Sequence, residues 1–123
     1  MSSVVAIVNT SPETVIQDYG RVMRLAGYHD ALSPDRDTIL KLNLSWTLFF
    51  PACSSPPWQL DGVLTTMLAD GYDRTRLFPV ENKTVVTDPW KGAANNGWLR
   101  TLEREGIPFT ALPEVEWQRY AFT

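Results

Sequence analysis

Short β-branched or apolar runs alternate with stretches of helical spacing along the whole chain, and few folds accept that alternation. The run 4–8 (VVAIV) is followed by Ser11, Pro12 and Glu13, which read as an N-cap, a first-turn proline and an acid at the positive end of a helix. Val15, Ile16, Tyr19, Val22, Met23 and Ala26 then recur at helical spacing, and Gly27 is placed to end that helix. A second strand is expected over 38–44 (TILKLNL), with Ile39, Lys41 and Asn43 on one face and Leu40, Leu42 and Leu44 on the other. A second helix over 57–70 would bury Leu60, Val63, Leu64, Met67 and Leu68, with Ser54 or Ser55 as its cap. The third strand, 76–80 (RLFPV), carries Pro79, which points to an edge position or a strand end. Residues 84–87 (TVVT) read as a short strand or extended segment after a turn at 81–83. A third helix over 95–105, stopped by Gly106, leads into a fourth strand over 109–112 (FTAL).

This order predicts an α/β fold: an open, mostly parallel sheet of about four strands with helices on both faces, a Rossmann-like three-layer arrangement. The run 4–8 is continuous rather than alternating, as suits a strand buried on both faces. The chain has 123 residues, 44% hydrophobic and 20% charged, enough for one core, and no repeat or interior linker divides it. We therefore expect a single domain over 1–123.

Charge and composition exclude several classes. A net charge of −3 leaves no surplus of Lys and Arg for phosphate backbones, so no nucleic-acid partner is expected. There is no basic amphipathic stretch for a membrane surface and no apolar run long enough to span one. The beginning of the chain has no positive n-region, so no signal peptide is expected. Cys53 is the single cysteine and His29 the single histidine, which rules out an internal disulfide and any Cys-rich or multi-histidine metal site. A reducing cytoplasm is the expected setting. Cys53 reads as a small buried apolar group rather than a nucleophile, and His29 as a solvated or capping residue. The five tryptophans, Trp46, Trp58, Trp90, Trp98 and Trp117, read mostly as packing.

Catalytic signatures are absent as well. No Gly-rich dinucleotide or phosphate loop follows the first strand, and no G-x-S-x-G elbow occurs. The positive signal is Lys41 and Asn43 on one face at the carboxyl end of an otherwise apolar strand. Ligands of open α/β sheets sit beyond that end, and a buried ammonium needs a partner or an opening. Ser45, Glu81, Asn82, Asn9 and Thr10 are expected at the same rim. The segment 88–97, with Asp88, Asn95 and Asn96, reads as a Gly/Asn-rich loop able to hold an anion at a helix start. The alternative for Lys41 is that it snorkels or pairs with a structural acid such as Glu81 or Asp88.

The lysine-x-asparagine strand, 39–44, set after a Pro34–Asp35 turn, resembles that of the domain of unknown function 362 family. The helix from Leu60 to Gly71, the stretch 80–89 (VENKTVVTDP), the 92–96 loop and Gly106-Ile107-Pro108 running into 109–112 resemble one branch of it. Leu42 stands where that family usually has proline. Some members carry a ferredoxin-like cluster domain, which a chain with one cysteine cannot. The resemblance implies the N-terminal portion of a longer protein and brings no catalytic residues or cofactor with it. The opening strand–helix–strand is also distantly similar to the N-terminal domain of lactate racemase-type enzymes, in fold alone.

Two functions remain open from the sequence. The first is binding of a small polar or anionic metabolite, as part of an enzyme, with Lys41 as anchor. The second is a non-catalytic interaction or oligomerisation module that uses the aromatic loop 46–57 and the aromatic tail, Trp117, Tyr120 and Phe122, to self-associate.

Overall fold

The computed structural model describes residues 4–122. Its sheet has three strands in the order β1 (Thr38–Lys41), β2 (Leu77–Glu81) and β3 (Thr110–Ala111), and both pairings are parallel. Around it lie α1 (Val15–Leu25), the single turn α2 (Tyr28–Ala31), α3 (Pro57–Ala69), α4 (Pro89–Asn95) and α5 (Trp98–Glu105). The α/β character and the parallel sheet agree with the sequence. The sheet has three strands rather than about four, because the run 4–8 does not join it, and the three-layer arrangement does not emerge.

The reason lies in the strand order. The strands follow one another in sequence, and right-handed crossovers in a constant direction put every connecting helix on the same face. The core accordingly joins Leu42, Leu77 and Ala111 to Leu60, Leu64 and Met67 of α3 and to Trp98 and Leu102 of α5, with Leu40 packed against it. On the other face Ile39 stays 70% exposed and Phe78 half-buried, although Val80 is buried. The helix α1 packs chiefly against α3. That contact is tight because each helix offers a glycine. A Cβ on Gly62 would come within 2.7 Å of the Tyr19 Cβ, and one on Gly20 within 2.7 Å of the Thr66 hydroxyl.

The run 4–8 is extended but joins no sheet, with Val5 82% and Ile7 85% exposed. Its β-branched composition favours a strand, yet no neighbour supplies the ladder. Pro79 sits in the central strand, contrary to expectation. Val80 turns its carbonyl toward β1, where it accepts from the Leu42 N–H at 3.0 Å. The nitrogen of Pro79 therefore faces the β3 side, and β3 pairs only from Val80 onward. No ladder bond is lost.

Three further expectations are corrected. Helix α3 begins at Pro57 with Pro56 as N-cap, and neither Ser54 nor Ser55 caps it. The 84–87 segment is a turn closed by Thr84 and Thr87. The supposed 88–97 loop is mostly helix. The Asp88 side chain accepts from the Lys91 N–H at 2.9 Å, and Pro89 fills the first turn. This start signal outweighs the Gly and Asn content that follows.

Candidate functional site

The carboxyl end of β1 runs directly into the segment that carries Lys41, Asn43 and Ser45, and the end of β2 delivers Glu81 beside it. Glu81 is 4% exposed and fully engaged. Its Oε1 accepts from Lys41 Nζ at 2.6 Å and from the Asn82 N–H at 2.6 Å, while Oε2 accepts from the Leu44 N–H at 2.5 Å. Lys41 keeps half of its side chain in solvent and also donates to the Leu42 carbonyl. Two backbone N–H groups and one side-chain amine thus converge on a single buried carboxyl group. Of the two acids expected as structural partners for Lys41, Glu81 is the one it pairs with.

Asn43 does not join that pair. Its backbone N–H donates to the Ser55 hydroxyl at 2.9 Å, the Ser55 N–H returns a bond to the Asn43 carbonyl, and Asn43 Nδ2 donates to the Ser45 hydroxyl at 3.0 Å. Ser45 in turn donates its hydroxyl to the Cys53 carbonyl and its backbone N–H to the Ser54 hydroxyl at 3.2 Å. Together these bonds zip the two ends of the aromatic loop. Ser54 and Ser55, expected as helix caps, are the zip's acceptors. Asn82 accepts from the Lys83 N–H, Asn95 donates to the Thr47 carbonyl at 2.8 Å, and the buried Asn96 donates back to the Gly92 carbonyl. Thr10 lines a groove beside Trp58, and Asn9 is exposed. Lys41 and Glu81 therefore meet, and the side chains of Asn43, Ser45, Asn82, Asp88, Asn95 and Asn96 are each tied to backbone, whereas Thr10 lies at the α1 groove and Asn9 is exposed. Among the described residues no buried side-chain nitrogen or oxygen lacks a partner, and no group of three or more metal-ligating side chains occurs.

What the rim does present is apolar. Leu48, Phe49 and Phe50 are exposed, as are Trp46, Val85, Val86 and Trp90. Thr47 fastens this loop to the next one, since its hydroxyl donates to the Val86 carbonyl and accepts from the Asp88 N–H at 2.8 Å. Trp90 donates its indole N–H to Glu114 at 2.8 Å, which draws the segment after β3 to the same end. Beyond it Trp117, Tyr120 and Phe122 are exposed. Only Trp98 among the five tryptophans is a core residue, contrary to the packing expectation. Cys53 is exposed too, at the closed base of the loop, rather than buried.

A second polar cluster, which the sequence reading missed, lies at the opposite end of α3. Asp70 accepts from Arg24 Nε and Nη2 at 3.0 and 2.8 Å and from the Tyr28 hydroxyl at 2.7 Å, with His29 Nε2 3.3 Å away. The Arg24 bonds first, then the Tyr28 bond, pull the Asp70 carboxyl down to about 2. Burial first, then the bond to Asp70, pushes the Tyr28 phenol well above its ordinary range. Tyr28 stacks on Tyr72 at 5.7 Å. The only local hint is the helical spacing of Arg24 and Tyr28, because their partner is more than forty residues away. The groups are mutually satisfied and join α1 and α2 to the end of α3, which is a structural arrangement.

No helix among the described residues is long and apolar enough to cross a membrane. No protein-family model, no curated protein and no solved structure matches the chain.

Proposed function

We propose that this chain acts as a non-catalytic interaction module that self-associates through the aromatic rim at the carboxyl end of its sheet. One observation carries the reading. At the end of the sheet where a ligand crevice was expected, the polar candidates are engaged with backbone, while Phe49, Phe50, Trp46 and Trp117 face solvent. Contiguous exposed apolar surface of this kind is characteristic of association sites, and aromatic side chains dominate the energy of such contacts. On this reading a second copy also covers the open Ile39–Phe78 face, which supplies the third layer of a Rossmann-like arrangement. We place the chain with the domain of unknown function 362 proteins on the strength of the 39–44 and 80–89 segments, and in a reducing cytoplasm on the strength of its single cysteine.

Sedimentation velocity over a concentration series tests the association. The native chain should form a dimer or larger species, and Phe49→Ser/Phe50→Ser should shift it to monomer with its thermal midpoint nearly unchanged. A native chain that stays monomeric at high concentration would overturn the reading.

The half-exposed Lys41 side chain favours a second reading, the binding of a small anion. A saturable thermal shift with phosphate or a small carboxylate, lost in Lys41→Ala, would support it.

A further inference from the structure

We infer that residues 4–8 form a strap that closes the open edge of β1 as a fourth parallel strand. The edge is defined by the ladder itself. Leu42 donates to Val80 across the β1–β2 pair, and successive residues of a strand direct their backbone groups to opposite sides. The N–H and C=O groups of Ile39 and Lys41 therefore point away from β2. Further along, Ser55 occupies this side by exchanging bonds with Asn43. The open stretch is thus Ile39–Lys41, and a groove of about 220 Å³ runs beside it, lined by Leu40, Leu42, Gln59, Leu60 and Val63 among others.

Three observations select the strap as the occupant. Val4, Val5, Ile7 and Val8 are β-branched, form no ladder and leave Val4, Val5 and Ile7 exposed. Helix α1, which follows the strap, packs on the outer side of α3. Its apolar face, Val15, Tyr19 and Val22, borders a groove of about 270 Å³ that already includes Val8 and Trp58. This face is only half-buried, whereas α3, which has strands beneath it, buries Leu60, Leu64 and Met67. Finally, a strand–α1–β1 crossover of the usual hand sets its first strand next to β1 and puts α1 on the same face as α3. The existing ladder then continues outward by one strand without rearranging any pair. Docking covers the edge that would otherwise template pairing with other chains. The inference does not rest on the aromatic rim, which involves other residues.

Amide hydrogen exchange on the full chain, read residue by residue, tests it. In dilute native protein the Ile39 and Lys41 amides should exchange roughly tenfold or more slowly than in an unstructured chain, as ladder amides do. Val5→Pro/Ala6→Pro removes one donor from each side of the strap, whichever register it takes, and should abolish that slowing. The Leu64 and Met67 amides of α3 should keep their protection, which shows that the variant still folds. Fast exchange at Ile39 and Lys41 in both proteins would overturn the proposal. So would slowing that grows with protein concentration, because a second copy would then occupy the edge.

Discussion

Two carboxylates tie the ends of this molecule together, and they do so by different means. Glu81, at the carboxyl end of the sheet, is held by the backbone N–H groups of Leu44 and Asn82 and by a single side chain, Lys41. Asp70, at the far end of α3, is held wholly by side chains, those of Arg24 and Tyr28, with His29 Nε2 3.3 Å away. Backbone donors survive every substitution except proline and come pre-positioned by the strand ends. Side-chain donors give up rotamer freedom when they converge and can each be deleted singly. The Glu81 knot should therefore depend on the acid alone, and the Asp70 knot on all of its members.

The largest effect should come from Glu81→Ala. It leaves the Leu44 and Asn82 N–H groups without their acceptor, at about 1–3 kcal/mol each in denaturant unfolding. A loss below about 1 kcal/mol would mean that water replaces the carboxylate easily. At the other end, Asp70→Asn should cost about 1–3 kcal/mol and also change the acid limb of stability. A carboxyl held at about 2 against an ordinary 3.8 stabilises the fold above the ordinary value. That contribution disappears as pH falls from about 3.8 toward about 2. Asp18 and Asp73 are shifted in the same direction, so the variant should flatten the limb in part. Denaturant midpoints between pH 2 and pH 6 check this, and a limb as steep as the native one would contradict the assignment.

Smaller effects discriminate further. Tyr28→Phe should cost about 0.5–1.5 kcal/mol, with clear coupling to Asp70→Asn in a double-mutant cycle; additive losses would remove Tyr28 from the knot. Lys41→Ala should cost the least, about 0–1 kcal/mol, because its side chain is half in solvent. If it proved as costly as Glu81→Ala, the distinction between backbone-fed and side-chain-fed carboxylates would fail.

The contrast also accounts for what could be read from sequence. Helix α3 and the alternation along β1 were legible because apolar spacing encodes them locally, and Leu60, Leu64 and Met67 are buried as that spacing requires. The Lys41–Glu81 contact was legible as one of two alternatives, since both residues end neighbouring strands. Three features were not. The Asp70 knot joins residues 42 and 46 positions apart with no local pattern to announce it. Helix α4 was hidden by its Gly92, which is there because Leu44 leaves no room for a Cβ. The uneven placement of helices depends on strand order, which periodicity does not contain. Ser54 and Ser55 were read as caps because Ser before a helix usually is one, yet the loop closure claimed both hydroxyls.

The sequential strand order has one more consequence. Each strand lies outside the one before it, with its helix laid over the joint, so the chain grows like overlapping roof tiles. Another strand–helix unit can be laid at the β3 side by adding to the last row, with Leu64, Met67, Trp98 and their neighbours left as they are. An architecture of this kind has no inherent stopping point, and its length is a matter of how many rows are laid.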